Sequence, residues 1–101
     1  MNITYMESIK GIPYKGKLVL AKELGISPGT VNNRCKEIKT EILNGRYPDW
    51  SIIEDGGLKL INYLVFIDYL NNRQKLLEPN LRKYVGPFEP HKVAQSIGWY
   101  N

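Results

Sequence analysis

The chain has 101 residues, a hydrophobic fraction of 43% and a net charge of +4, which indicates one small globular domain with a mild preference for an acidic partner. No apolar run approaches the roughly 20 residues of a membrane-spanning helix, and we expect no secretory signal at the start of the chain. One cysteine and one histidine exclude an internal disulfide and a His/Cys zinc site, so a cytoplasmic location is predicted.

Residues 1–16 are predicted to form an irregular N-terminal arm, because they contain two glycines and a proline and show no helical period. A short strand is expected near Ile12–Tyr14. From Lys17 the apolar residues recur with the spacing of a helix that buries one side, and Gly25 is expected to end that helix in the left-handed conformation. The residues predicted to be buried are Leu18, Ala21 and Leu24.

A second helix is predicted from Pro28 towards Leu43. Ser27 can cap this helix, and Pro28 suits a first turn in which no backbone N–H is needed. The apolar residues recur as a single stripe that should face the core, and Asn44-Gly45 is expected to end the helix. The stripe consists of Val31, Cys35, Ile38 and Ile42.

The segment Trp50–Ile61 has the pattern of a β-hairpin, with Asp55-Gly56-Gly57 as its tight turn. Asn62 can cap a third helix that runs to about Leu77. Because this helix follows the hairpin directly, its apolar side is expected to pack against the same core. That side is predicted to consist of Leu64, Phe66, Ile67 and Leu70.

Residues 78–101 form a C-terminal extension beyond the predicted domain of residues 17–77. The breakers "EPN" and "GPFEP" separate a helical turn, "LRKYV", from a final short helix in "HKVAQSIGWYN". Two expectations follow from the apolar and aromatic side chains of this extension. It either folds back to extend the core or docks on a neighbouring copy as an oligomerisation element, and we favour the second.

The polar side of the second helix carries residue types that read DNA in a major groove. Asparagine forms a bidentate pair with adenine, and lysine reaches guanine or phosphate. The order helix, turn, helix, hairpin, helix is that of a winged helix-turn-helix domain, whose second helix places such side chains in the groove. The candidate base contacts are Thr30, Asn32, Asn33 and Lys36, and the candidate backbone contacts on or before the helices are Lys17, Ser27, Arg34 and Lys39.

The segment from about Lys17 to Leu70 resembles the excisionase family, the winged-helix recombination directionality factors of phages and conjugative transposons. More distantly, it resembles the DNA-binding domains of mercury-resistance-type regulators. The matching pieces are "LAKELGISPGTV", the strand "WSII" followed two residues later by glycine, and the helix "YLVFIDYL" directly after the hairpin.

The resemblance implies an α+β, mostly α, winged helix-turn-helix fold and sequence-specific binding to double-stranded DNA. Such proteins bend DNA near attachment sites, assist an integrase or repress transcription, and carry out no covalent chemistry. A nucleoid-associated protein encoded by a phage or bacterium is therefore expected. By position, the resemblance also implies that Lys59 lies on the wing and contacts the DNA backbone.

Three features depart from the family pattern. Arg34 stands where these proteins usually have an aromatic or aliphatic residue, and the second helix is about one turn longer than usual. Glu54-Asp55 places two acids at the tip of the predicted wing, where they would repel phosphate.

An alternative function comes from the same acidic tip. It favours a non-catalytic adaptor of a phage or plasmid that uses the winged-helix shape to bind a protein, whereas the eight Lys/Arg against five acids in residues 1–50 favour DNA. No Gly-rich phosphate loop or Ser/His/Asp set is present, so neither an enzyme nor a cofactor is expected. Glu37 and Glu41 are spaced to pair with neighbouring lysines on the helix.

Overall fold

The computed structural model describes residues 13–98, in which a small antiparallel sheet packs against a larger set of α-helices. The predicted α+β class with an excess of helix is confirmed. Most of the predicted N-terminal arm and the last three residues lie outside the described range. The elements are β1 (Tyr14–Lys15), α1 (Lys17–Leu24), α2 (Pro28–Leu43), a 3-10 turn (Asp49–Ser51), β2 (Ile52–Asp55), β3 (Leu58–Asn62), α3 (Tyr63–Leu77), α4 (Pro79–Arg82) and α5 (Pro90–Ser96).

Local backbone chemistry sets the turn between α1 and α2. Gly25 has a φ of 68°, the left-handed conformation that a Cβ would disfavour, and its N–H donates to the carbonyl of Ala21. Ser27 Oγ accepts the N–H of Thr30 at 3.0 Å, and Pro28 occupies the first turn of α2. Both predicted helix boundaries are confirmed, and only three residues separate the two helices.

One prediction for α1 is wrong. Leu18 was expected to be buried, but it is 68% exposed, whereas the neighbouring Leu20 is completely buried. The side of α1 that contacts α2 and β3 carries Leu20, Ala21 and the half-buried Leu24. These three residues form one face of the helix. At about 100° per residue, Leu18 lies about 120° from Leu24 and about 160° from Leu20 around the helix axis, which places it outside this face.

The sheet has the strand order β1-β3-β2, and both pairs are antiparallel. Glu54 lies opposite Lys59 and Asp55 lies opposite Leu58 in the hairpin, whose turn contains Gly56 at a φ of 60°. The predicted hairpin is therefore present, but it is shorter than expected. Trp50 belongs to the 3-10 turn because the N–H and hydroxyl of Ser51 both bind the carbonyl of Pro48.

The core lies between α1, α2, β3 and α3. The predicted stripe of α2 is confirmed, since Val31, Cys35 and Ile38 are completely buried and Ile42 is half-buried. On α3 the prediction fails for Leu70, which is 37% exposed. The core is filled on this side by buried side chains from other positions of α3. Those buried hydrophobic residues of α3 are Leu64, Val65, Phe66, Tyr69 and Leu76.

The two glutamates of α2 pair with arginines rather than with the expected lysines. Glu37 Oε1 accepts Arg73 Nε at 2.7 Å, and Glu41 Oε2 accepts Arg82 Nη1 at 2.7 Å. The arginines lie 36 and 41 positions further along the chain. Guanidinium groups bind both oxygens of a carboxylate, which gives them a geometric advantage over lysine at the half-buried Glu37 and the buried Glu41.

The C-terminal extension folds back onto the domain, the first of its two expected arrangements. The rings of Phe88 and Tyr47 pack edge to face with their centres 5.2 Å apart. Ala94 of α5 is completely buried against Leu64 of α3. Self-association through the extension stays a prediction. No helix within residues 13–98 is long and apolar enough to cross a membrane.

Candidate nucleic-acid interface

The contacts of α2 divide its circumference into four sides. Val31 and Ile38 face the core. Lys39 faces the hairpin, because its Nζ lies 2.5 Å from Glu54 Oε1, and Glu37 faces α3 through Arg73. Since each residue adds about 100°, the remaining outward side is centred on Asn33, Lys36 and Thr40.

The outward side presents polar groups that the protein itself does not use. Asn33 and Lys36 are exposed and Asn32 is half-buried. Within the described part of the chain, the side chains of these three residues make no hydrogen bond or ion pair. Their donors and acceptors are therefore available to a ligand, and amide and ammonium groups of this kind match the edges of bases in a major groove.

Ser27 and Thr30 lie at the N-terminal end of α2. Their hydroxyl oxygens are 2.9 Å apart, and Ser27 also accepts the backbone N–H of Thr30. The two side chains thus form the cap of α2 and hold its first turn in place. This end of the helix carries the positive end of the helix dipole, which favours an anion nearby.

Three lysines lie together on the hairpin side of α2, and we call Lys17, Lys39 and Lys59 the hairpin-side surface. Lys17 and Lys59 line the same cleft, of about 450 Å³, between the start of α1 and the hairpin turn. Burial raises the pKa of the Cys35 thiol, and the positive charges of all three lysines oppose that rise. Lys39 pairs with Glu54, which lies opposite Lys59 in the hairpin, so the third lysine lies beside the other two.

The acids predicted at the hairpin tip differ in their surroundings. The hydrogen bond and positive charge of Lys39 hold the pKa of Glu54 below its ordinary value, so Glu54 is ionised and paired. Asp55 is exposed and makes no ion pair with residues 13–98. One acid is therefore neutralised by a lysine that had itself been predicted to bind phosphate.

All four arginines of the sequence are engaged in ion pairs. Arg34, a predicted phosphate contact, donates to Glu37 at 3.1 Å and lies on the α3 side of α2 rather than on the hairpin-side surface. Arg73 shares the same carboxylate. Lys75 lines a cleft with both arginines. Arg73 and Lys75 were missed because nothing in the sequence near α2 signals a partner from α3.

A second network fixes the connection after α2. Asp68 Oδ2 accepts Tyr47 Oη at 2.7 Å and Arg46 Nη2 at 2.8 Å, and Arg46 also donates to the carbonyl of Gly86. Burial and the neighbouring carboxylate raise the pKa of Tyr47, so the phenol stays protonated as the donor. These contacts join the segment after α2, α3 and the C-terminal extension, so we assign them a structural role.

Other reactive groups do not form a site. Within residues 13–98 no group of three His, Cys, Asp or Glu side chains could hold a metal ion. Cys35 is completely buried on the core stripe, as expected from the sequence. No protein-family model matches the sequence, and comparisons with curated proteins and with solved structures give no significant match.

Proposed function

We propose that the protein binds double-stranded DNA as a winged helix-turn-helix domain, with α2 as the recognition helix and the β2–β3 hairpin as the wing. Two features of the fold support this proposal: the three-residue turn between α1 and α2, and the three-stranded sheet that brings the hairpin beside α2. A helix with its polar side free and its apolar side buried can enter a major groove without disturbing the core.

The observation that carries the proposal is the outward side of α2. Asn33 and Lys36 stand at its centre with unused polar groups, and Asn32 lies beside them towards the hairpin. In the proposed complex these side chains contact base edges, and Thr30 and Ser27 hold the N-terminal turn close to the backbone.

Phosphate contacts come from the hairpin-side surface. Lys17 and Lys59 make no ion pair with other described residues, so both can neutralise a phosphate directly. Lys39 can do so only in competition with Glu54. The resemblance of residues 17–70 to excisionases adds the proposed role, which is to shape DNA of a mobile element for its integrase or to regulate transcription.

The salt dependence of duplex binding tests the proposal. Two unpaired lysines assigned to phosphate, Lys17 and Lys59, contribute about 0.9 each to the slope of log K against log salt. The affinity for a labelled duplex should therefore fall at least about 12-fold between about 50 mM and about 200 mM salt. Changing Asn33 and Lys36 together to alanine should also abolish any preference selected from a random DNA pool, whereas Lys92→Gln should leave the preference intact.

A protein-binding adaptor is the second candidate, and one specific observation favours it. The cleft between α1 and the hairpin exposes apolar side chains beside the lysines, namely Leu18, Val19 and Leu58. An apolar surface of this kind is more typical of a protein interface than of a phosphate contact. If the protein binds no duplex at about 50 mM salt, DNA binding is refuted and the adaptor function is favoured.

A further inference from the structure

We propose that the cleft between α2 and α3 is a second phosphate-binding site, which holds the DNA strand on the side of α2 opposite the hairpin. This inference rests on the proposed function and adds residues that the sequence did not indicate. The cleft has a volume of about 420 Å³. We call it the α2–α3 cleft, and its lining residues are Arg34, Leu70, Asn71, Arg73, Gln74 and Lys75.

The charge of the α2–α3 cleft favours an anion. Arg34, Arg73 and Lys75 contribute three positive charges, and Glu37 between the two arginines contributes one negative charge. Lys75 is exposed and makes no ion pair within residues 13–98. A net positive site with two side-chain amides in its wall has the chemistry of a phosphate site.

Glu37 orients the arginines without using all of their donors. Arg34 gives it one N–H, through Nη1 at 3.1 Å, and Arg73 gives it two, through Nε at 2.7 Å and Nη2 at 3.4 Å. Each guanidinium carries five N–H groups, so both arginines retain donors. Tyr69 also donates to Glu37, at 2.6 Å, which fixes the carboxylate against the core. The guanidinium groups are therefore held in place before a ligand arrives.

The width of a helix explains why a second site belongs on this side. An α-helix with its side chains is about 10–12 Å across, and a major groove is about 12 Å wide, so a helix in the groove has a phosphate strand on each side. Lys39 on the hairpin side and Arg34 on the α3 side flank the outward side of α2. The α2–α3 cleft supplies the cations that the second strand requires.

The decisive variant is Lys75→Gln, with Lys92→Gln as the control of equal charge change. Lys92 lies on α5, which packs against Leu64 at the start of α3, whereas Lys75 lies in the last turn of α3. Lys75→Gln should lower the salt slope by about 0.9 and reduce the affinity loss between about 50 mM and about 200 mM salt by about 3.5-fold. The reduction should be the same for all duplex sequences, because phosphate contacts carry no base readout.

A second variant, Arg73→Lys, keeps the charge but loses the planar guanidinium, and should weaken duplex binding several-fold. Thermal unfolding of each variant shows whether the fold is kept. If Arg73→Lys does not fold, the test rests on Lys75→Gln alone. If both folded variants bind duplex like Lys92→Gln while the wild type shows its steep salt dependence, the second site is refuted and the proposed function stands. If the wild type binds no duplex, both proposals fall.

Inorganic phosphate distinguishes a free anion from the DNA backbone as the ligand. In an NMR titration, the Nη–H signals of Arg34 and Arg73, which include the donors that Glu37 does not use, should shift with phosphate, and duplex DNA should suppress that shift by occupying the same donors. Phosphate-induced shifts that persist unchanged in saturating duplex would identify a site for a free anion and overturn the assignment to the DNA backbone.

Discussion

Glu54→Gln is expected to strengthen DNA binding, although it changes no residue that we propose to touch DNA. The substitution keeps the shape of the side chain and removes the charge that holds Lys39 Nζ at 2.5 Å. Lys39 and Glu54 are 47% and 49% exposed, so the fold does not depend on their pairing. A freed Lys39 adds one phosphate contact, which should steepen the salt slope by about 0.9.

The size of this effect can be measured by fluorescence anisotropy with a labelled duplex. One additional phosphate contact makes the affinity loss between about 50 mM and about 200 mM salt about 3.5-fold larger than in the wild type. Asp55→Asn is the matched control, since it removes a neighbouring exposed charge that pairs with no lysine among residues 13–98. It should leave the slope unchanged.

A double-mutant comparison distinguishes the release of Lys39 from a general loss of repulsion between the Glu54 carboxylate and the DNA phosphates. In a Lys39→Gln background, Glu54→Gln should no longer steepen the slope, because the lysine that it releases is missing. The reasoning is refuted if Glu54→Gln and Asp55→Asn have equal effects on the slope. It is also refuted if Glu54→Gln weakens binding, because the ion pair would then position the hairpin for DNA instead of masking a lysine.

Four further predictions concern stability, reactivity and assembly. The hydrogen bonds of Arg82 lower the pKa of Glu41, so this pair should stabilise the fold above the ordinary carboxyl pKa and lose its effect as pH falls through the lowered pKa. In chemical denaturation Glu41→Gln should cost about 1.5–3 kcal/mol at neutral pH and much less in acid. Phe88→Ala removes a half-buried ring that packs on the buried Tyr47 and should destabilise the protein by about 2–3 kcal/mol, whereas Tyr84→Ala at an exposed position should change stability by less than about 0.5 kcal/mol. Equal losses would contradict the packing of the extension. Burial and its raised pKa should keep Cys35 from reacting with iodoacetamide until the protein unfolds, and rapid labelling of the native protein would show that the core opens. Self-association through residues 78–101 predicts a dimeric or larger mass in light scattering, and a monomeric mass at high concentration would exclude it.

The sequence by itself determined the features that depend on a few neighbouring residues. Ser27 and Asn62 cap α2 and α3 through their own side chains, and Gly25 and Gly56 adopt left-handed conformations in tight turns. The stripe from Val31 to Ile42 could be predicted for the same reason, because apolar residues recur every three or four positions along a helix that buries one side. The outward side of α2, opposite that stripe, followed directly from it.

Only the tertiary structure decided which side of α1 and α3 meets the core. Leu18 and Leu70 are as apolar as the residues that replace them, but the directions of approach of β3 and α2 exclude them from the core. The ion pairs of Glu37 and Glu41 depend on arginines 36 and 41 positions away, so spacing along one helix favoured the wrong partners. The same applies to Lys39, whose partner Glu54 belongs to a strand. Charges and apolar groups act over distance in space, and the chain path that brings them together is set by the packing of the whole core.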